Sequence, residues 1–481
     1  MSSIVGLQGN VKANEIIKML KASKNRGLDS SGVFLDKHYL DIDLDDFKDD
    51  AEYEIAFGHN LNKVYDSNER ASSHQPVCSD TLVLVFDGVL YNFKTIKNLL
   101  KKVGVKDDIV SDSEALLHLI DFYNNGDLVK AIQLAVKLID GDYAFAVWDG
   151  DNLALVRDPL GVKPLFYAQN NEIKAFASSK QSLKEIGLSD INTLKPKHIL
   201  FNWNDIHPIE QIHEKIIEGD VSKIDKLLKL SVSKRIDELT SVGVIFSGGV
   251  DSSYIALLLK EISKNIPLEI TLYAVGVEGS KDIDSAIYAS KYLNLELKTL
   301  IITEDLIRKN LACVVKAIDD DNLMKIGVGL TTYFATKMVA EDNIKVAISG
   351  QGADELFGGY KRYLKSFVDG TLNVDIRNDI YNMYHVNLER DDACSMLNSV
   401  ELRLPFLDEK LVELVINIQD NKKIVSMHDD MRKSILRKLA FEEGLDYEIA
   451  YRPKKAAQYG TGIDKILRKK ILKDTNFSDF L

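Results

Sequence analysis

Val242-Gly243-Val244-Ile245-Phe246-Ser247-Gly248-Gly249-Val250-Asp251-Ser252-Ser253 decides the architecture of the second half of this chain. A short apolar run, Val242 to Phe246, breaks into two adjacent glycines flanked by hydroxyls, then becomes an apolar, helix-like segment through Leu259. That order predicts a buried strand, a tight loop and a helix N-terminus. Such a loop is an anion site. Gly248 and Gly249 let backbone N–H groups approach a phosphate, Ser247, Ser252 and Ser253 add hydroxyl donors, and the helix dipole favours negative charge. A bare phosphate would repel Asp251, which makes better sense holding a divalent cation that bridges phosphates. Spacing alone also fits an ordinary glycine-rich turn, so the reading needs support from elsewhere in the chain.

Working outward, 481 residues exceed one typical core, so two domains are expected. Hydrophobic residues at 45% and charged residues at 28% are those of a soluble globular protein. No apolar run reaches the length of a membrane span, and Met-Ser-Ser-Ile-Val-Gly carries no secretory pattern, so a cytoplasmic location is expected. Cys78, Cys313 and Cys394 are widely spaced, which suits a reducing compartment and offers neither a disulfide framework nor zinc-ligand spacing. The net charge of −12 argues against a general affinity for nucleic acid. One local concentration of cations is Arg452-Pro453-Lys454-Lys455.

The first two hundred or so residues carry short β-type runs at Thr81–Phe86, Ala144–Trp148, Leu153–Val156 and Lys174–Ala177, with helical patterns at Ala13–Ala22 and Ser113–Tyr123. Mixed elements of this kind predict an α+β layered domain. The pattern lapses into a polar, proline-containing stretch around Thr193–Glu210, and the boundary is placed there, giving domains at 1–205 and 215–481. Beyond it, strands at Val242–Phe246, Glu269–Val275 and Lys345–Ile348 alternate with stretches long enough for helical crossovers. That is an α/β, doubly wound parallel sheet with its site at the strand C-termini.

The loop at Ser247 resembles the SGGxDS loop of ATP pyrophosphatases, which cleave ATP between the α and β phosphates. Further segments sharpen the resemblance. They are Tyr273-Ala274-Val275-Gly276-Val277, Ser349-Gly350-Gln351-Gly352-Ala353-Asp354-Glu355-Leu356-Phe357-Gly358-Gly359-Tyr360, Ser399 to Asp408, and Arg452 to Gly460. Together they look like the synthetase domain of asparagine synthetases, an adenine nucleotide alpha hydrolase-like fold. The resemblance implies ATP and Mg²⁺, with Asp251 and Asp354 on the metal and Ile245, Ser247, Gly248, Gly249, Ser252, Val275, Ser349 and Gly350 around the nucleotide. It implies catalytic roles for Lys454, Asp354 and Glu355, with Lys454 stabilising the pentavalent transition state. Taken alone, Lys454 would be an ordinary solvated lysine, and Glu401 with Arg403 an ordinary buried ion pair. Two departures stand out. Gln351 replaces the glutamate of many bacterial members, and Asn322 to Gly329 lacks their aspartate contacts, leaving Lys325 as the cation there.

The first half is similar to the class II glutamine amidotransferase domain, an N-terminal-nucleophile hydrolase sandwich. Ile4-Val5-Gly6, Arg26-Gly27-Leu28-Asp29, Gly58-His59, His74-Gln75-Pro76, Asp87-Gly88, Ser111-Asp112 and Arg157 to Leu165 carry the likeness. In that family, removal of the initiator methionine exposes a nucleophilic cysteine; here the second residue is Ser2. Serine can serve as such a nucleophile, so the remaining pocket decides. The arginine that clamps the glutamine carboxylate aligns with Leu61, the glutamate for its amino group with Val89, and the oxyanion-hole asparagine with Asp87. Only Gly88 and Asp112 match. The resemblance therefore implies a vestigial glutaminase.

The expected activity is ATP-dependent amide formation, asparagine from aspartate and ammonia through β-aspartyl-AMP, with AMP and pyrophosphate released. One alternative is a ligase of the β-lactam synthetase kind that adenylates a different carboxylate. Another is a non-catalytic ATP-binding regulatory subunit, against which the set Asp251, Asp354 and Lys454 speaks. A tRNA-modifying relative of the loop is disfavoured by net acidity. The expected partners are small molecules, with no nucleic acid and no membrane. A homodimer, or a separate protein supplying ammonia, stays open.

Overall fold

Strand Ser2–Lys12 is apolar on both faces because each face packs against something: Ile4 lies among residues of a second sheet, while Val5 and Leu7 lie under a helix. The computed structural model describes residues 2–47, 49, 51–67, 69–105, 108–210, 219–453 and 460–481. The chain forms two compact units, Met1–His213 with Tyr384–Ser399, and Glu214–Met383 with Val400–Leu481.

In the first unit an antiparallel seven-stranded sheet runs Asn192–Thr193, Phe166–Gln169, Ile173–Ala177, Ser2–Lys12, Glu52–Leu61, Ser30–Leu35 and His38–Ile42. A six-stranded sheet runs Asp205–Pro208, His198–Phe201, Leu153–Arg157, Gly141–Trp148, Val83–Leu90 and Val77–Cys78. Ile4, Phe57 and Phe176 of the first meet Val85, Ala144 and Leu155 of the second in one buried cluster. Helix Ala13–Ala22 covers the outer face of the first sheet through Ile16, Met19 and Leu20. Helices Phe93–Lys102, Asp112–Tyr123 and Leu128–Val136 cover the second. The result is a helix–sheet–sheet–helix sandwich, the layered α+β architecture of N-terminal-nucleophile hydrolases.

Two sequence expectations need correction here. The polar stretch Thr193–Glu210 is folded as part of the first unit, which runs on to His213: His198–Phe201 and Asp205–Pro208 pair as a hairpin on the edge of the six-stranded sheet. Edge strands bury little and so read as polar; Asn202 and Trp203, both at positive φ, make the turn. Nor does the whole of 215–481 belong to the second unit. Tyr384–Ser399 packs into the first, where Glu389 meets Arg157 at 3.1 Å and Asp392 meets Arg26 at 2.5 Å.

The second unit is built on five parallel strands: β1 (Ser241–Ile245), β2 (Glu269–Gly276), β3 (Glu296–Ile301), β4 (Val346–Ile348) and β5 (Glu401–Arg403). Their spatial order is β3-β2-β1-β4-β5. The chain winds outward from β1 in one direction and then returns to wind outward in the other. The order therefore reverses between β1 and β4, and a crevice must open at their C-terminal ends. Helices α1 (Val250–Ser263), α2 (Lys281–Leu293) and α3 (Leu323–Glu341) follow β1, follow β2 and precede β4 respectively. No helix among the described residues is long and apolar enough to cross a membrane.

Candidate functional site

The crevice holds a cleft of about 1050 Å³, open solvent at its mouth included, lined by residues from both glycine-rich loops. Ile245, Ser247, Gly249, Asp251 and Ser252 come from the β1–α1 loop, Tyr273 and Val275 from β2, and Ser349, Gly350, Gln351 and Asp354 from the loop after β4. Gly248 is not on the lining. It sits at φ +65°, and a Cβ there would lie 2.4 Å from the backbone of Ser285, so its role is close packing of the loop on α2. Ser252 Oγ accepts from Ser247 N–H at 3.3 Å, closing the loop on itself. Gly350 lets the second loop approach the first: a Cβ there would lie 3.0 Å from Asp251 Cβ.

Asp251 and Asp354 are brought together by a residue that sequence reasoning missed. Lys433 Nζ stands 2.6 Å from Asp251 Oδ2 and 2.6 Å from Asp354 Oδ1, and the lysine side chain is 1% exposed. Burial lowers its pKa while Asp251 opposes that shift; contacts of this length to two carboxylates are those of an ammonium. Arg432 and Lys433 both adopt positive φ, 51° and 53°. That left-handed geometry costs a non-glycine residue about 1 kcal/mol or more, and it is held by Arg432 Nε to Gly359 O and by Arg437 Nε to Arg432 O. Gly359 makes room for the pair, since a Cβ there would fall 2.0 Å from Asp354 Oδ1 and 2.4 Å from Lys433 Cε. Only hindsight marks Lys433 in the sequence, where Arg432-Lys433-Ser434 reads as a charged helix start.

Glu355, grouped with Asp354 in the sequence, points elsewhere. It is 3% exposed, accepts a 2.6 Å hydrogen bond from Tyr360 Oη, and does not line the cleft; burial raises its pKa. Lys454 lies outside the described residues, but its flanks reach the cleft. Arg452 Nη1 donates to Ser247 O at 2.9 Å and Arg452 Nη2 meets Asp282 at 2.8 Å. Beyond it, Thr461 lines the cleft and its carbonyl accepts from Val277 N–H at 2.8 Å. Lys325, the cation left in the segment where bacterial members contact aspartate, pairs with Asp320 at 2.7 Å and does not line the cleft. Glu401 and Arg403 form a buried ion pair at 2.8 Å, each 1% exposed.

Both carboxylates reach one cationic atom, Lys433 Nζ, a placement from which they could share one divalent ion. Asp251 Oδ1 is buried and has no hydrogen-bond partner among the described residues. An oxygen-only donor set of this kind fits Mg²⁺.

In the first unit the polar residues aligned with the glutaminase pocket are engaged by other groups of the same unit. Ser2 N–H donates to Asp87 Oδ1 at 3.0 Å, and Asp87 Oδ2 receives Arg26 and Ser178 Oγ, each at 3.1 Å. Leu61 and Val89 are buried apolar side chains. Asp112 is held by Arg70, whose Nη2 lies 2.9 Å from both carboxylate oxygens, and by Leu90 N–H at 3.0 Å. His59 is buried nearby, and desolvation pushes its pKa down to about 3, so the ring is neutral. Cys78 and Cys313 are exposed and Cys394 is buried, all as free thiols.

Comparison with known proteins fits both units. Residues 223–377 and 368–476 match the asparagine synthase family, and residues 1–224 match the glutamine amidotransferase domain. Together they define an ATP-using carbon–nitrogen ligase joined to an amidotransferase domain. A protein of Methanocaldococcus jannaschii assigned as asparagine synthetase (glutamine-hydrolysing) 1 is 36% identical, covering 99% of this chain and 96% of its own. The glutamine-hydrolysing asparagine synthetase of Rattus norvegicus is 26% identical over 82% of this chain and 74% of its own. This chain belongs to the asparagine synthetase family. Among solved structures, a glutamine phosphoribosylpyrophosphate amidotransferase from B. subtilis aligns at 16% identity with a TM-score of 0.39, covering 72% of this chain and 81% of that one.

Proposed function

We propose that the protein forms asparagine from aspartate, ATP and free ammonia, and that its first unit no longer hydrolyses glutamine. The observation that carries the synthetase half is the convergence of Asp251, Asp354 and Lys433 in a cleft at the strand-order reversal. Joining a carboxylate to the α-phosphorus of ATP brings two anions together, and a divalent ion on Asp251 and Asp354 would supply the positive charge that the balanced side chains of the cleft do not. Backbone around Ile245, Val275, Ser349 and Gly350, all on the cleft lining, would hold the adenosine, Ser247 and Gly249 would face the phosphates, and Asp251 and Asp354 would hold Mg²⁺. When bound, Mg²⁺ neutralises the leaving pyrophosphate. Arg452 pins the segment that leads into Lys454, the residue assigned to the transition-state charge. The aspartate side-chain oxygen attacks the α-phosphorus and pyrophosphate departs; ammonia then attacks the acyl carbon of β-aspartyl-AMP and AMP departs.

The glutaminase half rests on Asp112 and Asp87. Asp112, the one acidic residue of the family's glutamine pocket that this chain keeps, already carries Arg70, and Asp87, an anion that would repel a developing oxyanion, aligns with the family's oxyanion-hole asparagine. Pyrophosphate release should therefore require ammonium and ignore glutamine. Glutamine-supported turnover by the purified protein would defeat this half.

A second reading, adenylation of another carboxylate, gains from one finding: Lys325 is engaged with Asp320 rather than facing the cleft. A panel of amino-dicarboxylates assayed for pyrophosphate release separates the two.

A further inference from the structure

Among the described residues, six charged side chains line the cleft: Asp251, Asp282 and Asp354 against Lys433, Arg437 and Arg452. Their formal charges cancel. Asp282 is satisfied by Arg452 at 2.8 Å, and Arg437 spends its guanidinium on the carbonyls of Met431, Arg432, Ala450 and Arg452. Lys433 is in contact with both Asp251 and Asp354 at 2.6 Å. The lysine is rigidly delivered there, by two successive left-handed residues and by a glycine, Gly359, whose missing Cβ is the space the contact needs.

We propose that Lys433 is a placeholder cation, its ammonium keeping Asp251 and Asp354 from binding a divalent ion until that ion arrives on a polyphosphate. The proposal rests on the reading of these two aspartates as the metal carboxylates. A bare divalent ion entering the nucleotide-free cleft must displace a buried ammonium from the two carboxylates it contacts, leaving it only the weaker pull of Glu355, which is costly in a desolvated site. An ion carried on a triphosphate meets no such penalty. The phosphate oxygens accept the lysine as it leaves the carboxylates, and the carboxylates turn to the metal. Each charge exchanges one partner for another, and none is left bare. Lys433 would thereby enforce joint entry of metal and nucleotide, and keep the aspartates apart from adventitious divalent ions.

The test is Mn²⁺ binding to the full-length protein, followed by the loss of the free Mn²⁺ paramagnetic resonance signal, with and without α,β-methylene-ATP. The wild type should bind Mn²⁺ tightly only with the nucleotide analogue. Lys433→Met should bind Mn²⁺ without nucleotide at least about tenfold more tightly than the wild type, a difference of ~1.4 kcal/mol. The gain should vanish in Lys433→Met combined with Asp251→Asn. A merely structural lysine would give looser metal binding when removed, not tighter. Circular dichroism and thermal melting check the fold, and Lys433→Gln, which keeps a polar stem, serves if the methionine variant does not fold. Nucleotide-free Mn²⁺ binding by the wild type as tight as by either variant overturns the proposal. Nucleotide-dependent Mn²⁺ binding that is indifferent to Asp251→Asn overturns instead the metal-ligand reading beneath it.

Discussion

Arg70 holds Asp112 through both carboxylate oxygens, its Nη2 lying 2.9 Å from each. Its Nε and Nη2 both reach the carboxylate, Nη2 also donates to Leu90 O at 2.8 Å, and its Cζ lies 4.0 Å from the Tyr65 ring centre. The guanidinium is 3% exposed and the carboxylate 11%. A buried pair is costly to break because the survivor keeps its charge and loses its partner. Arg70→Met is expected to destabilise the protein by about 3–5 kcal/mol, read as a lower urea midpoint, and to leave glutamine hydrolysis absent. Appearance of glutaminase activity in that variant would mean Arg70 alone keeps the pocket closed.

The family's oxyanion-hole asparagine can be rebuilt by Asp87→Asn, and this too should fail to restore hydrolysis. Leu61 and Val89 would still offer no group for the carboxylate and amine of glutamine, and Arg26 would lose one of its two aspartate partners, Asp87 and Asp392. The expected result is a loss of roughly 1–3 kcal/mol of stability with no ammonia released from glutamine. Ammonia release by the single variant would show that Asp87 is the whole of the defect.

In the synthetase unit the most exacting position is a glycine. Gly359→Ala places a methyl group against Asp354 and Lys433 at distances no packing tolerates, 2.0 and 2.4 Å, so the carboxylate and the ammonium must part. Displacement of a positioned charge by about 1 Å costs on the order of a hundredfold in rate. Pyrophosphate release should fall by about that factor with circular dichroism unchanged. A variant with wild-type turnover would remove Asp354 from the site.

How much of this was legible in the sequence depends on the range of the interaction. Strand, loop and helix at Val242–Leu259, and the second loop at Ser349–Tyr360, are local patterns, and the structure places them beside each other as a parallel sheet requires. The helix Ala13–Ala22 was bounded by its own apolar spacing. Lys433 was not legible, because its partners are 182 residues away at Asp251 and across the sheet at Asp354. Nor was the return of Tyr384–Ser399 to the first unit, which depends on Arg26 and Arg157 as receptors for Asp392 and Glu389. Glu355 shows the opposite failure: adjacency to Asp354 suggested a shared role, yet on a short helix consecutive side chains diverge, and Glu355 turns inward to Tyr360.

A last prediction concerns Lys423, fully buried after Ile418, with its ammonium on the Ile418 carbonyl at 3.1 Å and on Asn373 Oδ1. Desolvation pushes its pKa from 10.5 down to about 7, with Asp420 opposing and Arg377 adding to the shift. Between those two values the unfolded chain keeps the proton that the native protein has released. Stability from this group is therefore fully present above pH 10.5 and is lost as pH falls toward 7. The slope is about 1.4 kcal/mol per pH unit at most. Lys423→Met removes the titrating group while keeping an unbranched stem, at the cost of leaving Asn373 and the Ile418 carbonyl one donor short. Measured against the wild type by urea unfolding, the variant should compare best near pH 6 and progressively worse toward pH 10. A stability difference that stays flat across that range would mean Lys423 remains ionised in the folded protein throughout.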